Sequence, residues 1–178
     1  MADTGLHMPD FRAAERTFSL ITQVAGRAGR FFPDGKVIVQ SYSPKQNAIY
    51  YACHNKTEEF YTDEIQTRQI LSFPPYSRLI RFVFRSAVQQ EAEKVCFDAA
   101  DFLNAYIKER AITCNEAIEV LGPSECPLAK ISANFRYQII LKCKNITEIQ
   151  RAANTLLQSY TGKKNVYIEV DVDPLNLL

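Results

Sequence analysis

Alternating apolar and polar positions in the second half of the chain predict a small sheet covered by two helices. Apolar residues recur at every second position in several segments, as expected for strands with one buried face. Two longer segments carry apolar residues at helical spacing instead. The predicted strands are residues 77–86, 117–121, 135–144 and 166–173, and the predicted helices are residues 89–110 and 145–159. The order β-α-β-β-α-β favours a ferredoxin-like α+β domain, with both helices on one face of an antiparallel sheet.

The first part of the chain shows helical segments on either side of one predicted strand. Asp10 is a suitable N-cap for a helix that runs to about Ala25, where Gly26 and Gly29 are expected to end it. A run of β-branched residues predicts a strand over residues 36–42. Helical residues follow that strand, so this part is α/β in character and differs from the second part.

The pair Pro74-Pro75 marks the predicted boundary between the two parts. Two adjacent prolines stop a helix and force extended backbone on the residue before them. The predicted domains are therefore residues 1–76 and 77–178.

Composition and charge narrow the class of protein without identifying it. The 178 residues are 47% hydrophobic and 23% charged, which is ordinary for a globular protein. No run of about 18 apolar residues and no signal peptide is present, so a cytoplasmic location without membrane contact is expected. The net charge of +1 excludes binding of polyanions through bulk charge. The five cysteines lack metal-ligand spacing, which favours buried reduced thiols and neither a metal site nor a disulfide.

The charges are nevertheless unevenly distributed. Two stretches, residues 65–90 and 126–147, contain four basic residues each and no acidic one. The predicted topology makes the first and third strands neighbours, so their polar side chains would form a basic face on the side without helices. The alternative is that Arg81 and Arg85 pair with Glu169 and Asp171 on the last strand.

Residues 23–30, with the sequence QVAGRAGR, are the strongest candidate for phosphate chemistry. Two glycines in four residues allow close approach of the backbone to a ligand. Arg27 and Arg30 lie three apart and could converge on one small anion, because the guanidinium bonds phosphate oxygens bidentately. The alternative is a glycine-rich helix end with solvated arginines.

These residues resemble motif VI of superfamily 2 helicases, Q-x-x-G-R-x-G-R. The residues around them resemble the primosomal replication-restart helicases, the PriA family, as do segments that continue in order to the end of the chain. The segments are residues 3–16, 73–78, 120–123, 135–138 and 171–175. The resemblance implies that Arg27 and Arg30 are catalytic and reach the γ-phosphate of ATP. It also implies that Gln23, Gly26 and Gly29 take part in binding the nucleotide.

The resemblance also predicts that the chain is part of a longer protein. Members of the family are several times longer, and the P-loop pattern GxxxxGK[ST] is absent here. The chain is expected to be a C-terminal fragment, with the end of a second RecA-like lobe followed by the ferredoxin-like domain. The parent would be an ATP-dependent 3′→5′ DNA helicase that recognises stalled forks and D-loops and starts replication restart. ATP with magnesium, and zinc outside this fragment, would belong to the parent; none is expected to be bound here, and the fragment alone is predicted to be inactive.

Residues 130–137 mix basic and aromatic side chains, as nucleic-acid-binding segments do. The resemblance implies DNA contacts by Lys130, Arg136 and Tyr137, and by Arg78 and Arg81. Strand alternation leaves open the alternative that Tyr137 lies in the core. The expected partners are forked, D-loop and single-stranded DNA. An alternative function is a non-catalytic module that binds single-stranded DNA-binding protein or other primosome proteins.

Overall fold

The structure, a computed structural model, describes residues 1–31, 35–110, 117–160 and 165–177, with side chains except those of residues 29–31. The chain divides into two compact units, Met1–Ser72 and Phe73–Leu178. The division falls immediately before the Phe-Pro-Pro segment. Each unit has its own hydrophobic core.

The first unit is a small helical assembly. A 3₁₀ turn at Ala2–Gly5 precedes helices α1 (Ala13–Phe31), α2 (Asn47–Cys53) and α3 (Thr57–Ile70). Phe18 of α1 and Phe60 of α3 are each 2% exposed and stack with ring centroids 4.1 Å apart. The rest of this core is small, consisting of Ile21, Ala48, Ile49 and Ala52.

Helix α1 begins at Ala13, three residues after Asp10, and continues further than the sequence predicts. The Asp10 carboxylate accepts a hydrogen bond from the backbone N–H of Arg12 at 2.9 Å, in the turn that leads into the helix. The prediction that Gly26 and Gly29 end the helix is wrong, because α1 runs through both to Phe31. A glycine costs about 1 kcal/mol relative to alanine in a helix, but it keeps its N–H and its helical hydrogen bond.

The strand predicted over residues 36–42 is not formed. Residues 35–41 have no regular secondary structure, and Ile38 is 93% exposed. A strand needs a partner to satisfy its backbone groups, and the described residues of this unit provide no second strand. The Asp3 carboxylate holds the end of the segment instead, accepting from Ser41 Oγ at 2.7 Å and from the Tyr42 N–H at 2.9 Å. These bonds lower the pKa of Asp3 below its usual value.

The second unit is a four-stranded antiparallel sheet with two helices. Its elements are β1 (Arg78–Ser86), α4 (Gln89–Arg110), β2 (Glu119–Ile131), β3 (Asn134–Cys143), α5 (Ile146–Ser159) and β4 (Tyr167–Val172). The strand order is β2-β3-β1-β4, so the predicted β-α-β-β-α-β order and the pairing of the first and third strands are confirmed. Both helices pack on the face that carries Ile80, Phe82 and Phe84.

Strand β2 is longer than the sequence predicts, because Gly122 and Pro123 do not end it. The ladder with β3 is interrupted between Leu121 and Ser124 and again between Glu125 and Lys130, and it resumes after each interruption. Gly122 has a φ of +103°, and a Cβ atom there would lie 2.7 Å from the backbone oxygen of Gln138. Only glycine fits this irregularity without strain, so the strand continues through it into the hairpin.

Within the described parts of the chain, no helix combines the length and the apolar character needed to span a membrane.

Candidate nucleic-acid interface

Strands β2 and β3 end in a tight hairpin, whose residues 128–136 we call the hairpin arm. Ile131 pairs with Asn134, and the two residues between them have positive φ, 48° at Ser132 and 65° at Ala133. This is the backbone of a type I′ turn, whose twist matches that of the strands it joins. Residues 130–133 are all exposed, so the tip of the arm lies in solvent.

Two cations of the arm are held in place without a carboxylate. Lys130 Nζ lies 4.5 Å from the centroid of the Phe135 ring, and Arg136 Nη1 donates to the carbonyl oxygen of Leu128 at 3.3 Å. Among the residues that the structure describes, neither Lys130 nor Arg136 is part of an ion pair. Their positive charge is therefore available to an external anion.

Tyr137 lies in the core, as the alternative interpretation of the sequence has it. It is 5% exposed and belongs to the same cluster as Phe82 and Phe84. Its hydroxyl accepts from Gln89 Nε2 at 3.1 Å and donates to Glu125 Oε1 at 3.2 Å. The ring is therefore not available to stack on a base. It packs in the core directly after the last residue of the arm.

Arg81 is also buried, with 4% of its surface exposed. Its Nε donates to Gln138 Oε1 at 2.9 Å on the sheet face without helices. Lys142 on the same face is 8% exposed and its Nζ lies 2.7 Å from Glu119 Oε2. The face is basic in sequence, but its centre is buried and internally bonded, so Arg81 is not available to touch DNA.

Arg78 is exposed at the start of β1 and has an acidic partner. Its Nε lies 2.9 Å from Asp173 Oδ1 and 3.0 Å from Oδ2. Hydrogen bonding to Asp173 raises the pKa of Arg78, and the same contact holds the pKa of Asp173 below its usual value. A phosphate would have to compete with this carboxylate.

Arg85, near the end of β1, has the acidic partner that the alternative interpretation of the face proposed. Its Nε lies 2.6 Å from Glu169 Oε1, and its guanidinium carbon is 5.1 Å from the centroid of the Tyr167 ring. Sequence reasoning placed Arg85 on this face but did not single out Tyr167 as a site residue. The signal that could have found Tyr167 is the register between β1 and β4, which is not visible in the sequence.

The helicase-like motif lies on the exposed side of α1. Gln23, Gly26 and Arg27 are three and four positions apart, share one helical face and are all exposed. A Cβ atom on Gly26 would meet nothing within 4 Å. Gly29 and Arg30 have helical backbone, but their side-chain positions lie outside the described part of the structure. The side chains of Gln23 and Arg27 could donate hydrogen bonds to a phosphate on this open face. Together with the other described residues of the motif, they do not form an enclosed site.

The thiols differ in exposure. Cys96, Cys126 and Cys143 are buried, as expected, and Cys53 is exposed, contrary to expectation. Cys114 lies outside the described residues. Burial raises the pKa of Cys96 to about 12, so this thiol is not a nucleophile near neutral pH. The described residues also bring together no group of three or more His, Cys, Asp or Glu side chains that could hold a metal ion.

The fold and its surface define an α+β domain with an exposed basic hairpin arm, a class suited to binding polyanions. Residues 69–175 match the family model described as the primosomal protein N C-terminal domain. The chain belongs to this family, which confirms the resemblance found in the sequence.

Longer relatives match almost the whole chain. Replication restart protein PriA of Treponema pallidum is 44% identical over 99% of this chain and 26% of its own length. The proteins of the same name from Borreliella burgdorferi and Bacillus subtilis are 37% and 36% identical over 99% of the chain, and over 26% and 22% of their own lengths. The chain thus spans about a quarter of the length of the relatives it matches.

Proposed function

We propose that the chain acts as the C-terminal part of an ATP-dependent 3′→5′ DNA helicase that recognises stalled forks and D-loops and starts replication restart. The observation that carries the proposal is the hairpin arm, with two cations outside any described ion pair, on a domain of the primosomal protein N family. The name of the longer relatives, replication restart protein, supports the same function.

The arm would contact the sugar-phosphate backbone. Lys130 supplies a point charge at the tip, and Arg136 supplies a planar fork at the base of the same hairpin. Contacts of this kind position a protein on DNA without reading its sequence, which suits recognition of a fork by shape. Arg78 is a weaker candidate because Asp173 already binds it.

The first unit would be the end of a RecA-like helicase lobe. Leu20 and Val24 on α1 are 61% and 47% exposed, and the extended segment around Ile38 lacks a partner strand among the described residues. In the longer protein, other residues of the lobe would contact these apolar groups beside the motif, and the preceding residues would provide strands that pair with the segment.

In that lobe the exposed face of α1 would turn towards the nucleotide. Gln23 and Arg27, with Gly26 between them, would lie at the phosphate side, and Gly29 and Arg30 continue the same motif. ATP with magnesium, held by the rest of the longer protein, would supply the free energy for strand separation. The role of Arg27 and Arg30 would be to neutralise phosphate charge.

The DNA-binding part is tested by fluorescence anisotropy of this chain with a labelled fork, a duplex and a single strand over a salt series. We expect fork-preferring binding whose log–log salt slope is about 0.9 per phosphate neutralised. Arg136→Glu should weaken binding and lower the slope by about 1. Lys108→Glu is the matched control and should change neither, because Lys108 is exposed on α4 and belongs to none of the ion pairs among the described residues. Binding that is absent at low salt, or equally weakened by both variants, would refute the role of the arm.

The enzymatic part is tested with the same purified chain. We expect no ATP hydrolysis with or without DNA, because the sequence contains no P-loop. DNA-stimulated hydrolysis by this chain would contradict the proposal that the nucleotide is held by the preceding residues.

A groove on the helix side favours a second candidate function, binding of primosome proteins. A cavity of about 260 Å³ between α4 and α5 is lined by apolar groups that include Val95, Phe102 and Leu156, and also by Asp98. An apolar segment of single-stranded DNA-binding protein or of another primosome protein could dock there. Such binding should persist in salt that abolishes DNA binding, and Phe102→Ala should weaken it while leaving DNA binding unchanged.

A further inference from the structure

We propose that a row of three residues across the sheet, Arg136, Arg85 and Tyr167, binds a phosphate and the adjacent unpaired base of single-stranded DNA. We call it the Arg-Tyr row. The proposal rests on the proposed function, because it requires that this domain bind DNA. It adds a site with its own chemistry, in which a ring stacks on a base.

The register of the strands creates the row. Arg85 of β1 lies directly opposite Arg136 of β3 on one side and directly opposite Tyr167 of β4 on the other. Directly opposed residues of antiparallel strands project on the same face of a sheet, so all three side chains lie together on the face without helices. Neighbouring positions on this face, such as Arg81 and Gln138, are buried, whereas the row itself is accessible at the end of the sheet.

The two arginines make the row an anion site. Like charges directly opposite each other on neighbouring strands repel. A phosphate between Arg85 and Arg136 would replace this repulsion by two attractions, and each guanidinium can present a pair of N–H donors to it. Within the described residues, Arg136 has a carbonyl partner and is in no ion pair, so its charge is not neutralised by the protein.

Tyr167 supplies the surface for a base. Its side chain is 60% exposed although it belongs to a β-strand, and the Arg85 guanidinium lies 5.1 Å from the ring centroid. That contact orients the ring beside the anion site. Exposed aromatic rings next to cations are the usual platform for unpaired bases, and every base has a face that can stack. In a duplex these faces are covered by neighbouring bases, so the row favours a single strand.

Glu169 sets the strength of the site. Its carboxylate lies 2.6 Å from Arg85 Nε and is 52% exposed, so it fixes the arginine while it also competes with an incoming phosphate. Removing the negative charge while keeping the shape should strengthen binding. If Glu169 had only a structural role, removing its charge would not strengthen DNA binding, so a gain distinguishes the two roles.

The test measures anisotropy of the 178-residue chain with a labelled oligothymidine of about ten nucleotides and with an abasic strand of the same length. We expect Tyr167→Ala to weaken oligothymidine binding about tenfold and to leave abasic binding unchanged. Tyr167→Phe should bind both probes as the unsubstituted 178-residue chain does. Arg85→Ala should weaken both probes, Glu169→Gln should strengthen both, and Lys108→Ala on an exposed position of α4 is the matched control.

The outcomes separate this proposal from the function it rests on. Absence of binding to any DNA would overturn both. Binding that Arg136→Glu reduces but that Tyr167→Ala and Arg85→Ala leave unchanged would overturn the Arg-Tyr row alone. Equal losses on the two probes with Tyr167→Ala would overturn the stacking role. Thermal unfolding of each variant, followed by circular dichroism, shows whether a loss comes from unfolding instead.

Discussion

Replacing Gly26 by alanine should stabilise the first unit, although the residue belongs to a motif that resembles a nucleotide site. The residue lies inside α1, and a Cβ atom there meets nothing within 4 Å. Alanine is better than glycine in a helix by about 0.8–1 kcal/mol, mainly because the unfolded chain loses less freedom. Gly26 lies near the end of α1 and is exposed, so burial adds nothing and we expect a gain of about 0.5–1 kcal/mol.

The gain is measurable as a change in thermal stability. For a unit of this size, 1 kcal/mol shifts the unfolding temperature by about 4–8 °C, so Gly26→Ala should raise it by about 2–8 °C. Circular dichroism at 222 nm (a wavelength that reports helix) follows the transition, and urea unfolding gives the free energy.

Gly122→Ala is the matched control for this experiment. Its φ of +103° and the backbone oxygen 2.7 Å from the added Cβ make the same substitution unfavourable there. We expect a loss of about 1–3 kcal/mol. If Gly26→Ala lowers the unfolding temperature, the reasoning from a solvent-exposed helical glycine is refuted. In the longer protein the same change should reduce ATP hydrolysis if the backbone at Gly26 approaches a phosphate closely.

Two further predictions concern stability. Phe60→Ala removes half of the stacked pair with Phe18 and should cost about 3–5 kcal/mol, enough to unfold much of the first unit while the second unit stays native. Amide NMR signals report on the two units separately, and the control Phe97→Ala, on the exposed side of α4, should have little effect. Loss of the signals of both units in Phe60→Ala would contradict two independent cores. The pKa values of Glu15 and Asp173 are lowered in the folded chain by hydrogen bonds from arginines. Each carboxylate therefore contributes to the free energy of unfolding above its pKa in the unfolded chain, and this contribution is lost as the pH falls through its pKa in the folded chain. The free energy of unfolding should therefore be flat above about pH 5 and fall below about pH 4, and a decline that begins near pH 6 would show that other groups dominate.

The sequence predicted the second unit well because its pattern and its packing agree. Apolar alternation in β1 and β3 matches the face that the helices cover, and helix α4 has the predicted bounds of Gln89 and Arg110. The extension of β2 was missed because Gly122 and Pro123 usually end strands, and only the tertiary structure shows that a local irregularity absorbs them.

The first unit was predicted less well because strand propensity was given too much weight there. The β-branched run over residues 36–42 has strand propensity, but propensity is a weak term when the described residues offer this run no neighbouring strand. The site was predicted only in part, because some of its residues are placed by contacts that the local sequence does not show. Lys130 and Arg136 follow from sequence alone, whereas the burial of Tyr137 and Arg81, and the position of Tyr167, depend on register and packing.

The two-residue turn at Ser132 and Ala133 restricts how the length of the arm can vary among relatives. Because side chains alternate between the two faces of a hairpin, adding one residue to a single strand would move Lys130 or Arg136 to the opposite face. Insertions and deletions that keep the strands paired must therefore come in pairs, with one residue added to or removed from each strand, and two such pairs return both side chains to their original faces. Homologous hairpins should differ in length by even numbers, and an odd difference should coincide with a bulge or a different turn.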